Sequence, residues 1–104
     1  MAAARVIQYR TTPEAADENE RLIRAVFTEL ALKNAPGLRY SSFRLADGVS
    51  FVHVAEFEGD TNPLTESAAF AEFQAGIADR CEQGPDAAGA TTLGTVRTWT
   101  ADQH

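Results

Sequence analysis

Residues 49–57 form a predicted β-strand that carries apolar side chains on both of its faces. Side chains alternate between the two faces of a strand, so Phe51 and Phe57 share one face, whereas Val52 and Val54 share the other. A sheet in a small α+β domain needs one apolar face, the one that its helices cover. A second apolar face predicts a second covering layer, and the chain has too few predicted helices to supply it. We therefore expect a homodimer in which two such sheets enclose a cavity between the subunits.

Hydrophobic periodicity and turn residues predict the element order β-α-β-β-α-β, which is the ferredoxin-like arrangement. Asp47 and Gly48 predict a two-residue turn that joins the second and third strands as an antiparallel hairpin. Thr12 and Pro13 predict the start of the first helix, and a capping box of Thr11 and Glu14 is the alternative one residue earlier. The predicted strands are residues 5–10, 38–46, 49–57 and 91–99, the second helix is residues 64–82, and a small-residue loop covers residues 83–90. We expect one α+β domain over residues 1–104, with both helices on one face of a four-stranded antiparallel sheet.

The chain carries 15 acidic and 9 basic side chains, a formal net charge of −6, and the basic residues form no run. Nucleic acids and anionic membrane surfaces bind clustered Lys and Arg, so neither is an expected partner. No apolar stretch reaches the roughly 18 residues of a membrane span, and the first residues resemble no signal peptide. We therefore expect a cytoplasmic protein. The single cysteine, Cys81, is expected to be a small packed residue rather than a reactive thiol.

The sequence contains no strong catalytic motif. A glycine-rich phosphate loop and a Gly-x-Ser-x-Gly elbow are missing, so nucleotide hydrolysis and serine-type acyl transfer lack support. His or Cys pairs at metal-ligand spacing are also missing, so we expect no metal site. His53 lies in the middle of the third strand on the same predicted face as Phe51 and Ala55. Apolar surroundings there could tune its pKa toward neutrality, which makes it a candidate general acid or base. The alternative is a buried structural histidine whose hydrogen bonds are satisfied by its neighbours.

Other polar and aromatic side chains also lie inside predicted strands. Tyr9 and Tyr40 supply phenols, and Arg97 and Trp99 supply a fixed positive charge and an indole on one face of the fourth strand. Aromatic residues in strands can equally be core residues. An arginine inside a strand must reach solvent or find a carboxylate, and Glu56 is a candidate partner for Arg97.

Three features together carry a resemblance to a known family. They are the predicted element order, the Pro36-Gly37 pair before the second strand, and the segments FVHVAEFEGD at residues 51–60 and SAAFAEF at residues 67–73. In these features nearly the whole chain resembles the antibiotic biosynthesis monooxygenase-like family of dimeric α+β barrels. The superfamily includes quinone-forming oxygenases, haem-degrading enzymes and isomerases, so the resemblance implies the fold and a homodimer rather than one reaction.

The chain departs from the family pattern at several positions. The haem-degrading branch uses a histidine of the second helix as iron ligand, and residues 64–82 contain none, so we expect no bound haem. Many members carry Trp after the acidic residue of the third strand, where Phe57 follows Glu56 here. Many also carry His near the start of the second helix, where this chain has Leu64.

The cofactor-free oxygenases of the family imply a function. The resemblance implies a small, largely apolar ligand, aromatic or polyketide-like, that is oxidised by dioxygen with no bound cofactor. His53 would take a proton from the substrate, and Arg97 with a tyrosine would stabilise the resulting enolate or phenolate. The predicted catalytic residues are His53 and Arg97, and the predicted substrate-binding residues are Tyr9, Tyr40, Phe51, Phe57 and Trp99. The alternative is a non-enzymatic binding or stress-response module whose dimer interface is filled by Phe51, Phe57 and Trp99.

Overall fold

The computed structural model describes residues 2–33, 37–58, 63–91 and 93–94. The strands form one antiparallel sheet in the order β2-β3-β1-β4, so the predicted ferredoxin-like α+β fold is confirmed. Single 3-10 turns at Pro13–Ala15 and Pro63–Glu66 precede the two helical regions. The elements are β1 (Ala2–Thr11), α1 (Ala16–Lys33), β2 (Leu38–Arg44), β3 (Ser50–Glu58), α2 (Ala68–Ala75), α3 (Ile77–Arg80) and β4 (Cys81–Ala90).

The antiparallel hairpin of β2 and β3 is confirmed, but the two-residue turn is wrong: residues 45–49 separate the two strands, and the Gly48 N–H donates to the Leu45 carbonyl at 2.9 Å. Gly48 has a φ of 80°, a backbone conformation that residues with a Cβ rarely adopt. The Oδ1 atom of Asp47 accepts hydrogen bonds from the backbone N–H groups of Val49 and Ser50, at 2.9 and 2.8 Å. These two residues therefore fix the register of the sheet's longest hairpin locally, before any distant contact forms.

The predicted start of the first helix is also confirmed. The Thr12 hydroxyl accepts a hydrogen bond from the Ala15 N–H at 3.3 Å, and Pro13 occupies the first position of the 3-10 turn that leads into α1. Leu22 and Val26 lie one turn apart on the buried face of α1. Their apolar stripe packs this helix onto the sheet.

The second helical region and the last strand differ from the prediction. A helix over residues 64–82 is wrong, because α2 ends before Gly76 and α3 is a single turn that ends at Arg80. A loop over residues 83–90 is also wrong, because that segment belongs to β4, which pairs antiparallel with β1. Its sequence, CEQGPDAAGA, has little β propensity, and Pro85 is tolerated because β4 is an edge strand. Most of the strand predicted at residues 91–99 lies outside the described residues.

The helices cover one face of the sheet. Phe51 and Ala55 of β3 and Tyr9 of β1 are buried on this face and pack against α1 and α2. The predicted sharing of one strand face by Phe51, His53 and Ala55 is confirmed, because all three alternate with half-buried residues along β3. This face is covered within a single chain.

The opposite face of the sheet carries an apolar patch. Val6 is paired with Val54 across β1 and β3, and Phe43 is paired with Val52 across β2 and β3. The valines are half-buried, whereas 54% of Phe43 is exposed. Contiguous apolar area on an open sheet face favours a contact with a second protein layer.

We expect this patch to be the interface of a stable homodimer. Light scattering behind size-exclusion chromatography at micromolar concentration should give about twice the chain mass of 11.2 kDa. A monomer under these conditions would remove the physical reason for expecting a second sheet over the valines.

Candidate functional site

A cavity of about 550 Å³ lies between the helix-covered face of the sheet and the region that runs from the second 3-10 turn into α2. We call it the sheet–helix cavity. Its volume is in the range of about 300–1,000 Å³ that holds small organic ligands. Its apolar lining comes from Ile7, Ala55, Phe57, Leu64, Phe70 and Ala87. Its polar lining comes from Arg5, Tyr40, His53, Thr65 and Gln74. The predicted cavity was one between two subunits, whereas the cavity that His53 lines lies within one chain.

His53 lines this cavity and is 2% exposed. Its Nε2 atom is 2.8 Å from the hydroxyl oxygen of Tyr9. Its Nδ1 atom is 2.7 Å from the hydroxyl oxygen of Tyr40 and 2.8 Å from that of Ser42. Both ring nitrogens are therefore hydrogen-bonded inside the protein.

Burial sets the charge state of this group. Desolvation lowers the pKa of His53 to about 4, so the imidazole is neutral at physiological pH. Burial also raises the pKa of the Tyr40 phenol, and it raises the pKa of Tyr9 although a hydrogen bond from Asn19 opposes the rise. The site thus consists of a neutral imidazole between neutral phenols.

A chain of hydrogen bonds continues behind Tyr9. The Asn19 Nδ2 group donates to the Tyr9 hydroxyl oxygen at 2.9 Å, and the Arg80 Nε–H donates to Asn19 Oδ1 at 2.9 Å. We call the connected groups of Arg80, Asn19, Tyr9, His53 and Tyr40 the buried polar chain. Among the described residues, no buried side-chain nitrogen or oxygen lacks a hydrogen-bond partner.

Arg80 is only 9% exposed although it is charged. Its Nη2 group donates to the backbone carbonyl of Phe73 at 2.6 Å, and its guanidinium carbon lies 5.2 Å from the centre of the Phe73 ring. Gly76 leaves room for it, because a Cβ atom at that position would lie 2.9 Å from Arg80 Nη1. A short interruption between α2 and α3 thus accommodates the buried end of the polar chain.

The predicted site residues occupy several different places. Tyr40 and Phe57 line the cavity beside His53, and Tyr9 lies behind His53. Phe51 stacks on Tyr9 with ring centres 5.5 Å apart, inside the core. The alternative hypothesis in which Phe51 fills a dimer interface is therefore wrong for this residue.

Two other predicted site residues, Arg97 and Trp99, lie outside the described residues. Glu56, the candidate partner for Arg97, has its Oε1 atom 3.6 Å from Arg39 Nη1.

Sequence reasoning missed Asn19, Ser42 and Arg80 as members of the site. Asn19 lies between Glu18 and Glu20, and clustered acidic residues are typical of a solvated helix face. Its position three and seven residues before Leu22 and Val26 nevertheless places it on the apolar stripe of α1, where a polar side chain signals a buried hydrogen bond. No comparable local signal marks Ser42 or Arg80.

Metal binding and membrane insertion find no support in the parts of the chain that the structure describes. Within them, no group of three or more His, Cys, Asp or Glu side chains could hold a metal ion. No described helix is long and apolar enough to cross a bilayer.

Cys81 begins β4 and is half-buried, and burial raises the pKa of its thiol, as expected for a packed rather than reactive cysteine.

The low pKa of His53 predicts a specific loss of stability in mild acid. Above its ordinary pKa of 6.5, His53 is neutral in both the folded and the unfolded chain. Between pH 6.5 and about 4 the unfolded chain gains a proton that the folded chain does not, so stability falls as the pH falls. From pH 7 to pH 5 the loss should be about 2 kcal/mol.

Urea unfolding of the wild type and of a His53→Gln variant at both pH values measures this effect, since carboxylates contribute equally to both proteins. The variant should lack the additional loss. Identical pH dependences of the two proteins, or a His53 imidazole resonance that titrates in the folded protein between pH 5 and 8, would contradict the buried neutral state of His53.

The fold and the site can now be compared with known proteins. No protein-family model matches the sequence, and no curated protein matches it in sequence. Rv0793 of Mycobacterium tuberculosis is similar in structure, with a TM-score of 0.73 at 17% identity, covering 93% of this chain and 100% of that one. A solved structure described as an antibiotic biosynthesis monooxygenase has a TM-score of 0.65 at 17% identity, covering 90% of this chain and 100% of that one. This chain has the antibiotic biosynthesis monooxygenase fold.

The same fold includes a protein of described activity. A variant of SnoaB of Streptomyces nogalater, a cofactor-independent oxygenase, is similar with a TM-score of 0.66 at 17% identity, covering 93% of this chain and 98% of that one. At this identity the similarity shows the fold, as the sequence resemblance predicted, and the chemistry must be argued from the site itself.

Proposed function

We propose that this protein binds a small aromatic or polyketide-like molecule in the sheet–helix cavity and oxidises it with dioxygen without a bound cofactor. The observation that carries the proposal is the neutral His53, hydrogen-bonded to Tyr40 in the lining of a cavity whose other lining residues are mostly apolar. The shared fold with a cofactor-independent oxygenase supports it.

The reaction needs little chemistry from the protein. An anthrone loses a proton from its ring methylene, to water or to a base of the protein, and gives an enolate. The enolate transfers electrons to dioxygen, forms a carbon–oxygen bond and takes a proton back to give a hydroperoxide. Loss of water then gives the quinone, so one anthrone and one dioxygen yield one quinone and one water. A hydrogen-bond donor held at the enolate oxygen lowers the barrier to the first step, because a fixed dipole stabilises the developing charge without having to reorient.

Tyr40 is the phenol placed to stabilise that oxygen, since it both lines the cavity and contacts His53. The general-base role of His53 stays a prediction, because each of its nitrogens would first have to exchange a bond inside the protein. The roles of Arg97 and Trp99 also stay predictions.

The test is oxygen uptake with an anthrone such as 1,8-dihydroxyanthrone, measured beside formation of the quinone at matched pH. We expect saturable uptake above the buffer rate, with one dioxygen consumed for each quinone formed. Saturable binding with oxidation only at the buffer rate would contradict the oxygenase and favour a binding module. Absence of binding would contradict both.

The binding module is the second candidate function, and one observation favours it. Both nitrogens of His53 are already satisfied within the protein, as they are in a structural histidine. In that case the cavity would hold its ligand by shape and by Tyr40 alone.

A further inference from the structure

We infer that the buried polar chain fixes the proton positions of His53 and makes Tyr40 a hydrogen-bond donor toward the sheet–helix cavity. Asn19 and Arg80 are then positioning residues, and the cavity takes a ligand that presents an acceptor oxygen such as a phenolate or enolate. The ligand half of this inference rests on the function proposed above, whereas the proton positions do not.

The chain of reasoning begins at Arg80. A guanidinium group has N–H donors and no acceptor, and it keeps its charge at any physiological pH. The Asn19 atom 2.9 Å from Arg80 Nε must therefore be the oxygen. This decides the orientation of the Asn19 amide, which is ambiguous for an isolated asparagine. The NH₂ group of Asn19 is left to face Tyr9.

The next two links follow from the same counting of donors and acceptors. The Tyr9 oxygen accepts a hydrogen bond from Asn19 at 2.9 Å, so the Tyr9 hydroxyl hydrogen is available for His53 Nε2 at 2.8 Å. Nε2 can accept it only if it carries no proton. The opposite arrangement would place the hydroxyl hydrogen of Tyr9, a residue only 5% exposed, away from both of these contacts. The neutral imidazole therefore carries its proton on Nδ1.

The proton on Nδ1 determines what Tyr40 does. Nδ1–H points at the hydroxyl oxygens of Tyr40 and Ser42, at 2.7 and 2.8 Å. The Tyr40 oxygen accepts from His53, and Ser42 is hydrogen-bonded to Tyr40 in the sense that lowers the pKa of the phenol, which is the effect of a donor to the Tyr40 oxygen. The Tyr40 hydrogen then points into the cavity, and a hydroxyl that accepts hydrogen bonds becomes a stronger donor. Tyr40 lines the cavity and Ser42 does not. The donor offered to a ligand is thus the Tyr40 phenol.

The rest of the lining agrees with an acceptor ligand. Arg5 is one of the lining residues, and among the described residues that line the cavity there is no carboxylate, although the chain as a whole has a net charge of −6. A positive group and a phenol donor around an apolar space select an aromatic molecule with a negatively charged or carbonyl oxygen. With both of its ring nitrogens hydrogen-bonded in this way, His53 orients Tyr40, and the proton of the substrate would leave to water.

The proton positions are tested by long-range ¹H–¹⁵N NMR of the ¹⁵N-labelled full chain, which distinguishes protonated from unprotonated ring nitrogens. In the wild type we expect His53 to be protonated on Nδ1, and protonation on Nε2 would overturn the inference. Ser42→Ala is the control, and it should leave the proton on Nδ1.

An Asn19→Asp variant should reverse the pattern. One carboxylate oxygen accepts from Arg80 as before, but the other now accepts from the Tyr9 hydroxyl instead of donating to it. The Tyr9 oxygen must then accept from His53, so the proton moves to Nε2. A folded Asn19→Asp protein that keeps the proton on Nδ1 would overturn the role of Asn19. Should this variant fail to fold, Tyr9→Phe replaces it, and there the preference for Nδ1 should be lost.

The expected preference of the cavity for a ligand with an acceptor oxygen is tested with 4-nitrophenol, whose phenolate form absorbs visible light. The wild type should bind it with a lowered phenol pKa, and Asn19→Asp should weaken phenolate binding by about tenfold, because Tyr40 then donates to His53 instead. Equal phenolate binding by both proteins would overturn the donor assignment. The two proposals can fail separately. If the wild type does not oxidise an anthrone, but the His53 proton lies on Nδ1 in the wild type and on Nε2 in Asn19→Asp, the oxygenase alone is contradicted and the inference is supported.

Discussion

Replacing Tyr40 with phenylalanine is expected to lower kcat for anthrone oxidation by about 100-fold to 1,000-fold, the usual effect of removing one donor from an oxyanion site. The substitution removes only the hydroxyl that lies 2.7 Å from His53 Nδ1. The ring can keep its contacts with Phe27, whose ring centre is 4.9 Å away, and Ser42 can still accept from His53. Oxygen uptake at saturating anthrone measures the rate, and far-UV circular dichroism checks the fold.

The matched control is Ser42→Ala. Ser42 contacts the same nitrogen at 2.8 Å but does not line the sheet–helix cavity, so its rate should stay within about threefold of the wild type. A Tyr40→Phe protein with wild-type kcat would contradict the role of the phenol. An equal fall in both variants would show that the rate depends on His53 alone.

The largest expected loss of stability belongs to Phe51→Ala, at about 3–5 kcal/mol in the free energy of unfolding. Phe51 is 2% exposed, its ring stacks on Tyr9, and the Arg44 guanidinium lies 5.7 Å from its centre. Truncation of Phe51 leaves a void beside Tyr9, the residue whose hydroxyl lies 2.8 Å from His53 Nε2. Thermal unfolding should show a fall in Tm of more than about 10 °C.

Leu32→Ala provides the control, because Leu32 is 83% exposed near the end of α1. Its truncation should change the free energy of unfolding by no more than about 0.5 kcal/mol. Phe51→Ala with so small an effect would mean that the ring does not lie in the core, and the assignment of the two sheet faces would then be incorrect.

The parts of the fold that depend on local chemistry could be predicted from the sequence. The hairpin follows from an Asp-Gly pair that needs no distant partner, and the start of α1 follows from Thr12 and Pro13. β4 could not be predicted in this way. Its glycines, alanines and Pro85 carry no strand signal, and it is extended because β1 offers an edge to pair with.

The candidate site, like the fold, could be predicted only in part from the sequence. The alternation along β3 placed His53 on the covered face correctly. Two of its hydrogen-bond partners, Tyr9 and Tyr40, were among the predicted site residues. The pair behind Tyr9 was not, because Asn19 and Arg80 are 61 residues apart in the chain and meet only after α1 and α3 pack on the sheet. The acidic neighbours of Asn19 obscured its position on the apolar stripe.

The space that Gly76 leaves for Arg80 has an evolutionary consequence. A Cβ atom at position 76 would lie 2.9 Å from Arg80 Nη1, so the guanidinium would have to shift, and its bonds to Asn19 and to the Phe73 carbonyl would be weakened. Homologues should therefore either keep the glycine and the arginine together or lose both, and the Asn19 position should change with them. An exchange of only one of Gly76, Arg80 and Asn19 would weaken the contacts among them. We therefore expect the three residues to change together among homologues.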